Sequence, residues 1–420
     1  MARRDHDPAG GGQDWQHRLL KISAIVTAVV TLLCCALMVA ATQGWLTGTG
    51  RVTISTPETT APETTAPATE PPPDTVIHFV AGGDLNITDA TVAAGASDGG
   101  YDYTSVFLDV LPVLSGADVT ALNLEGILGG EPYGSDTASA PQALAQALAA
   151  AGVDIVQTAN SYSIINGLSG LRATLQGIQD AGMTPLGTYA SNADFEESGG
   201  YVVWDIQGIR VAFVAFTKGM DGMGLPTGSE KCVNLLYTDY NSTYQTVDTA
   251  GITSILRAVQ QSEPDVVIAL LHWGSEFNDV ISSTQETIVS LMFSEGVDAI
   301  VGTHSHYVQK MVLDEENGTF VAYSLGDFFG DAEKSGTGYS VLLDLEITKD
   351  GSTGETRVTA YDYIPIYIET SEEDGAPVRV LRIREAIAGY ESASLGRVSE
   401  ATYTAMVSAL SRIESRVAAD

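Results

Sequence analysis

The stretch VIHFVAGGDLN, residues 76–86, places an apolar run directly before two glycines and an aspartate. The run is short, contains β-branched and aromatic residues, and ends at glycine, which is typical of a buried strand. Asp84 therefore follows a predicted strand. Sites in open α/β sheets form at the carboxyl ends of strands. This stretch accordingly predicts one strand of the core and one side chain of a functional site.

Similar apolar runs recur along the chain and alternate with helical patterns. The predicted strands are residues 76–81, 118–122, 153–158, 210–216, 266–271 and 299–301. The predicted helices are residues 141–151, 168–181, 251–262 and 284–295. Gly152, Gly182 and Gly296 follow three of these helices, as C-cap glycines would. The alternation predicts an α/β fold with a largely parallel core.

Beyond residue 321 the pattern changes to strands with little helix. Strands are predicted at 320–324, 339–347 and 356–368, and a mixed or antiparallel second sheet is the natural interpretation. Residues 379–419 are predicted to be mostly helical. The domain is therefore expected over residues 76–370, with a C-terminal helical extension, residues 371–420, packed on it.

Residues 22–41 form an apolar run without a charged side chain. Its length matches the roughly 20 residues that an α-helix needs to cross a bilayer. Arg18 and Lys21 precede it, so residues 1–21 are predicted to stay in the cytoplasm. The bulk of this single-pass protein of the cell membrane would then be extracellular. The alternative is a cleaved signal peptide with a cut near Thr42, which would also export the bulk.

Residues 42–75 predict a disordered linker. They are rich in Thr, Pro, Glu and Ala, and the sequence PETTAP occurs twice with one shared proline. Such a composition has too few apolar side chains for a core. We therefore expect a spacer between the predicted membrane helix and the domain.

The charge and the cysteines narrow the function further. The chain has 53 Asp and Glu against 20 Lys and Arg, a net charge of −33. The electric field of this negative charge repels polyanions at long range, which argues against nucleic acid as a partner.

The cysteines limit how the fold can be stabilised. Cys34 and Cys35 lie in the predicted membrane helix, which leaves Cys232 without an intradomain disulfide partner. The fold must depend on its core, or on metal.

Rare polar side chains follow several of the predicted strands. They are Asp84, Asn123, Glu125, Asn160, His272, His304 and His306. Taken singly, each has a simpler structural explanation, such as a turn aspartate or a packed histidine. Together, neutral imidazole with carboxylate and amide oxygen is a ligand mixture for Mn, Zn or Fe. His78 lies inside a predicted strand and is interpreted as structural.

Five ordered motifs carry a resemblance to a known family. They are AGGDLN (81–86), NLEG (123–126), LHWGSEF (271–277), GTHSHYVQ (302–309) and YSLGDF (323–328). The chain resembles the bacterial capsule-synthesis (CapA) family. The resemblance implies a metallophosphatase-like αββα sandwich. It also implies a role in making or exporting capsular polymer, typically poly-gamma-glutamate, so that polymer or its synthesis machinery would be the partner.

The resemblance also suggests roles for individual residues. The expected catalytic residues are Asp84, Glu125 and His304. The expected metal ligands are Asp84, Glu125, Asn160, His272, His304 and His306, holding a divalent ion. The expected substrate-binding residues are Asn123, Trp273, Glu276 and Asp327.

The third family motif departs from its usual form. It usually reads ANNHxxDxG, whereas residues 159–167 read ANSYSIING, with Ser161, Tyr162 and Ile165 at the changed positions. In relatives with metallophosphatase activity the Asn–His pair supplies a metal ligand and a group that stabilises the transition state. We therefore expect weak metal binding, with slow turnover of substrate or none. Three functions stay open: a factor of polymer biosynthesis or export with a metal-centred site that could serve hydrolysis, a non-catalytic surface binding module, and a surface phosphoesterase.

Overall fold

Two β-sheets pack face to face, and helices cover the outer face of each sheet. The structure is a computed structural model that describes residues 71–371, 373, 375–393 and 398–418. The predicted membrane helix, 22–41, and most of the predicted linker, 42–75, lie outside these residues. Among the residues described, no helix is both long and apolar enough to span a bilayer.

The secondary structure of the described residues is as follows. The strands are β1 (Thr75–Asn86), β2 (Ala96–Ser97), β3 (Gly100–Tyr101), β4 (Val119–Glu125), β5 (Ile155–Gln157), β6 (Thr184–Leu186), β7 (Tyr201–Ile206), β8 (Ile209–Thr217), β9 (Val266–His272), β10 (Ala299–Thr303), β11 (Met311–Asp314), β12 (Thr319–Ala322), β13 (Asp327–Phe329), β14 (Tyr339–Lys349), β15 (Thr356–Thr370) and β16 (Pro377–Arg382). The helices are α1 (Asp89–Ala94), α2 (Leu111–Leu114), α3 (Gln142–Ala151), α4 (Gly167–Asp180), α5 (Asn192–Ser198), α6 (Thr249–Gln261), α7 (Ser283–Ser294), α8 (Ile383–Glu391) and α9 (Glu400–Val417).

The first sheet has the strand order β16-β15-β14-β1-β4-β5-β6, and β13 pairs with the end of β1. Strands β1, β4, β5 and β6 run parallel, whereas β14, β15 and β16 are antiparallel to their neighbours. The second sheet has the order β11-β12-β10-β9-β8-β7, with a parallel centre and antiparallel edges. The predicted parallel core is therefore divided between two sheets.

Side-chain alternation along the strands builds the layers. On β1, Ile77 and Phe79 join the core between the sheets, and Val80 joins the core under the helices of the first sheet. On β8, Phe213 faces the other sheet, and Val214 packs under the helices of the second sheet. Strands that are buried on both faces carry apolar residues at every position. Each sheet can therefore pack against the other sheet on one face and against helices on the other, which gives four layers: helices, sheet, sheet and helices. The predicted α/β class and αββα layering are confirmed.

Four aspartates set where parallel strands begin. Asp118, Asp154, Asp265 and Asp298 each precede a strand and accept a hydrogen bond from a backbone N–H of the neighbouring strand, at 2.7–2.9 Å. Each aspartate also donates its own backbone N–H to a carbonyl of that neighbour, at 2.8–3.0 Å. The reciprocal pair satisfies backbone groups at the strand start. The repeated pattern of Asp before an apolar run was a register signal in the sequence.

The C-terminal part differs from its prediction in two ways. Strands β14 and β15 do not form a separate second sheet but extend the first sheet beside β1. Residues 377–382, the start of the predicted helical extension, form β16, because the strand pairs with β15 along its length. Helices α8 and α9 follow as predicted, and Met406 and Ile413 of α9 are buried in the core between the sheets.

The predicted helix ends agree with the structure. Gly152, Gly182 and Gly296 all have positive φ, at 102°, 89° and 86°. Glycine adopts this conformation without the steric penalty of a Cβ atom. These glycines therefore end α3, α4 and α7 as the sequence indicated.

Candidate metal centre

Side chains from both sheets meet at one edge of the sandwich. Asp84 lies near the end of β1, Glu125 ends β4, His272 ends β9, and His304 and His306 follow β10. All five are buried. The carboxyl ends of parallel strands thus bring together residues that are far apart in the chain.

The distances define one cluster. Nε2 of His272 lies 3.2 Å from Oε1 of Glu125, and Nδ1 lies 3.6 Å from Oδ1 of Asp84. The ring centroids of His272 and His304 are 4.4 Å apart. Two overlapping groups offer ligand atoms within 4.8 Å of one another: Glu125, His272 and His304 form one, and Asp84, Glu125 and His306 form the other. Glu125 is common to both.

A close approach of two backbones holds Asp84 in place. A Cβ atom on Gly83 would lie 1.7 Å from the carbonyl oxygen of Gly326, so only glycine fits there. The backbone N–H of Asp84 donates to that carbonyl at 3.0 Å. Its carboxylate accepts from Nδ2 of Asn123 at 2.6 Å and from the backbone N–H of His304 at 2.8 Å. These bonds fix both carboxylate oxygens.

The turn after β10 has an uncommon backbone conformation. His304 and His306 have φ values of 85° and 59°. Positive φ is rare outside glycine and costs free energy. In this conformation the backbone N–H of His304 reaches Asp84, and Nδ1 of His306 reaches Oδ1 of Asp327 at 2.7 Å. The surrounding hydrogen bonds therefore hold the strained turn.

His304 and Glu125 carry buried polar atoms without partners. Neither Nδ1 nor Nε2 of His304 forms a hydrogen bond, and Oε2 of Glu125 also has none. Burial, with positive neighbours at His272 and Lys218, lowers the pKa of His304 well below its usual range. Its imidazole is therefore neutral and can donate a lone pair. Because buried polar groups are almost always paired, these atoms fit a divalent ion that completes their bonding.

The other two histidines are engaged by acidic neighbours. Burial disfavours the charge on His272, but Glu125 and Asp84 outweigh it and raise the pKa of His272 to about 9. Burial likewise opposes charge on His306, and Asp327 together with Glu125 outweighs it and raises its pKa. The proton on each of these rings must leave before the nitrogen that carries it can bind a metal.

The third motif contributes a serine to the cluster. The Ser161 hydroxyl lies 3.0 Å from Nε2 of His272. Asn160, a predicted metal ligand, lies beyond the end of β5, and both of its side-chain polar atoms are used: Nδ2 donates to the carbonyl of Leu124, and Oδ1 accepts from the N–H of Tyr162. Asn160 therefore ties the third motif to β4. Burial raises the pKa of Tyr162 to about 12, so its hydroxyl stays protonated.

The predicted substrate-binding residues fall into three environments. The structure contradicts the prediction for Trp273. Its side chain is fully buried among the apolar side chains under α6 and α7, and its N–H donates to the carbonyl of Tyr323 at 2.9 Å. Trp273 is therefore not available to a substrate. Asn123 and Asp327 are buried and orient Asp84 and His306. Glu276 is exposed and lines a cavity beside the cluster.

Lys218 and Thr303 belong to the site although they were not predicted. Lys218 lines the same cavity as Glu276 and His304. Thr303 places its hydroxyl 3.1 Å from Nδ1 of His272. Lys218 directly follows β8, and Thr303 ends β10. The signal used for the other residues, a polar group where an apolar strand ends, applied to both.

The sequence places this chain in a family. Residues 78–332, more than half of the chain, match the model described as "Bacterial capsule synthesis protein PGA_cap". The chain belongs to this family, and the resemblance predicted from five motifs is confirmed.

Two curated relatives carry the CapA name. The capsule biosynthesis protein CapA of Bacillus anthracis is 25% identical over 287 residues, which cover 66% of this chain and 63% of the relative. The PGA biosynthesis protein CapA of Bacillus subtilis (strain 168) is 26% identical over 208 residues, which cover 50% of each chain. The aligned regions thus span less than two thirds of either relative.

Solved structures that match this chain include a phosphatase and a calcineurin-like phosphoesterase. A phosphatase of Mycoplasma pneumoniae matches with a TM-score of 0.40 and 14% identity over 69% of this chain and 94% of that chain. A calcineurin-like phosphoesterase of Bacillus subtilis matches with a TM-score of 0.40 and 15% identity over 70% of this chain and 91% of that chain. Similarity at this level does not bear on activity.

Proposed function

We propose that this protein acts in the synthesis or export of a capsular polymer of the poly-gamma-glutamate type and carries a metal-dependent hydrolase site. Membership of the capsule-synthesis family supports the assignment of a capsular polymer as the partner. The observation that carries the site is the buried, neutral imidazole of His304, whose two ring nitrogens have no hydrogen-bond partner. Histidines and carboxylates at strand ends support the metallophosphatase-like character of the sandwich.

The chain's own residues would divide the work as follows. Asp84, Glu125, His272, His304 and His306 would hold the metal. A bound divalent ion would supply Lewis acidity toward a substrate oxygen. Asn123 and Asn160 would keep Asp84 and the third motif in position through their hydrogen bonds. The Tyr162 hydroxyl, protonated and half-buried, would be a neutral hydrogen-bond donor beside the site.

A non-catalytic binding module is the second candidate, and one contact favours it. The Ser161 hydroxyl lies within hydrogen-bond distance, 3.0 Å, of Nε2 of His272. The third motif also lacks the histidine that stabilises the transition state in active relatives. A site of this kind would keep metal and polymer affinity while turnover is lost.

The location follows from the same proposal. The uncharged run at 22–41 would anchor the chain in the cell membrane, and the acidic linker would hold the domain outside it. A surface position is where a capsular polymer is assembled.

The test combines metal content with substrate choice. The full chain, purified in detergent and stripped with a chelator, is dialysed against Mn²⁺, Zn²⁺ or Fe²⁺, and bound metal is measured. Hydrolysis is then assayed with γ-linked glutamate amides and with phosphate esters. Metal retention with γ-amide hydrolysis supports the proposal, and retention without turnover favours the binding module. Phosphate-ester hydrolysis alone, or no metal binding, overturns it. His304→Ala serves as the ligand variant and His78→Ala as the matched control.

A further inference from the structure

A cavity of about 260 Å³ lies directly beside the cluster of candidate metal ligands. His304 and Ser161 line it on the side of the cluster, and Lys218, Asp221, Tyr244 and Glu276 line the rest. Pockets for drug-sized ligands usually measure about 300–1,000 Å³. The cavity thus suits one small unit of a substrate rather than a length of polymer.

Lys218 is the cation of this cavity, in a chain whose acidic residues outnumber its basic ones, 53 to 20. It follows β8, and its backbone N–H donates to the carbonyl of His272 at 2.8 Å. Its half-buried ammonium donates to the carbonyl of Gly274 at 2.9 Å and lies 4.7 Å from the centroid of the Tyr244 ring. One carbonyl uses one of three donors. The position of Lys218 is therefore fixed while donors stay available.

The acidic side chains of the cavity leave the charge of Lys218 open to a ligand. Within the described part of the chain, Lys218 forms no ion pair with a carboxylate; Asp221 and Glu276 act on it only at longer range. Both acids are exposed, whereas Lys218 is half-buried. The cavity thus presents a positive group inside and negative groups toward solvent. A ligand with a carboxylate and an ammonium on adjacent positions matches this order of charges.

We propose that this cavity binds the amino-terminal unit of a γ-linked glutamate chain, with its α-carboxylate on Lys218 and its α-ammonium between Asp221 and Glu276. The proposal rests on the proposed function, and it assigns the end of the polymer that the site takes. In a γ-linked chain, only the first unit has a free α-ammonium beside its α-carboxylate. Its γ-carbonyl lies three bonds from the α-carbon, so the first amide bond would extend from this unit within the cavity that His304 also lines.

Direct binding to the full chain in detergent tests this without relying on turnover. The probe is the γ-linked dipeptide of glutamate, titrated calorimetrically with and without Mn²⁺. Lys218→Gln removes the cation, and we expect binding at least about tenfold weaker, as loss of a charge-assisted hydrogen bond implies. Lys310→Gln is the matched control, since Lys310 is also half-buried and lies outside the cavity. Asp221→Asn with Glu276→Gln should weaken the dipeptide but not its N-acetylated form.

The outcomes separate this inference from the proposed function. Dipeptide binding that depends on Lys218 supports the inference even if no metal binds. In that case the proposed hydrolase site is overturned and the binding site for the chain end is kept. Metal binding together with dipeptide binding that is insensitive to Lys218→Gln overturns the inference and leaves the metal site standing. Equal affinity for the N-acetylated dipeptide overturns the assignment to the chain end. Displacement of the dipeptide by inorganic phosphate at lower concentration overturns it in favour of a phosphate ligand.

Discussion

The Ser161 hydroxyl lies 3.0 Å from Nε2 of His272, the nitrogen that also faces Glu125 at 3.2 Å. Ser161 stands where the third motif usually has an asparagine, a residue that supplies a metal ligand in relatives with metallophosphatase activity. Its hydroxyl thus bonds to a candidate ligand instead of extending the ligand set. This contact connects the altered third motif to the expected loss of metal affinity and rate.

Restoring the third motif should restore activity. The double variant Ser161→Asn with Tyr162→His supplies an amide oxygen ligand and a histidine donor. One transition-state donor is worth about 10²–10³ in rate, so we expect hydrolysis of γ-glutamyl amides in the presence of Mn²⁺ to rise by that order. The two single variants separate the gain in metal affinity from the gain in rate. If the unmodified protein already turns over rapidly and the double variant adds nothing, this interpretation is wrong.

His304 should govern the response of stability to metal. An ion that binds only the folded state, at about 100 times its Kd, adds about 2.7 kcal/mol to the free energy of unfolding. We expect thermal unfolding to report this gain for the unmodified chain and to report little of it for His304→Ala. Removing this buried ring also leaves a cavity that lowers the metal-free stability, so the metal response is the difference between unfolding with and without metal for each variant.

His78→Ala is the control for this measurement. His78 pairs with Asp344 at 2.9 Å on the surface of β1, away from the cluster. Its loss should leave the metal response intact. An unchanged metal response in His304→Ala would contradict the assignment of His304 as a ligand.

Gly83→Ala should disrupt the placement of Asp84. The added Cβ atom would lie 1.7 Å from the carbonyl oxygen of Gly326, a backbone atom that cannot rotate away. Overpacking of a rigid core costs about 1–3 kcal/mol or more, and we expect metal retention to fall with stability in chemical denaturation. Gly100→Ala, where the new Cβ meets open space, is the control and should behave like the unmodified chain.

Asp298 should make stability depend on pH. Burial raises the pKa of Asp298 to about 6, above its unfolded value of about 3.9. The Asp298 carboxyl group therefore binds its proton more tightly in the folded state than in the unfolded state. This stabilisation of the fold is fully present below about pH 4 and is lost as the pH rises through 6. Asp298→Asn keeps an acceptor for the N–H of Val267. This variant should raise the free energy of unfolding by on the order of 1–2 kcal/mol at pH 7 and should make that free energy depend less on pH.

Asp265→Asn provides the comparison for Asp298. Asp265 has the same place at the start of β9, but it also pairs with Lys349 at 3.1 Å. Removing its charge loses that ion pair and should not stabilise the protein at pH 7. A gain of equal size in both variants would show that the burial of Asp298 is not the cause.

The predicted membrane anchor is tested on cells. With the run at 22–41 acting as a span, the domain should stay with membranes after a high-salt wash and be accessible to protease on intact cells. Immunoblotting of membrane and medium fractions measures both. A domain found free in the medium with a new N-terminus near Thr42 would establish the signal-peptide alternative instead.

Several features followed from local sequence patterns. The strands around Val80 and Phe213 were predictable because short apolar runs with β-branched residues have few other uses in a soluble domain. Gly152 was predictable as a helix end because only a residue without Cβ enters the left-handed region freely. Asp84, Glu125 and His272 were predictable as neighbours at one edge of the fold because each stands where an apolar strand stops.

Other features depended on partners that are distant in sequence. The first half of β14 is buried on both faces, and such a strand has the same pattern in either sheet. The sequence alone therefore could not assign β14, or β15 that pairs with it, to the sheet of β1. Trp273 looked available for substrate beside His272, but adjacent residues on a strand point to opposite faces, and its ring lies in the core under the helices.

What the sequence by itself determined is the family, the α/β class, and the set of polar residues at the strand ends, because these follow from motifs and periodicity within short segments. The tertiary structure alone decided that His304 is neutral and unpartnered while His272 is bound by Glu125 and Ser161. It also decided that Lys218 faces the same cavity as His304. Burial and hydrogen bonding are properties of the packed chain, since they depend on which distant side chains displace water around each group.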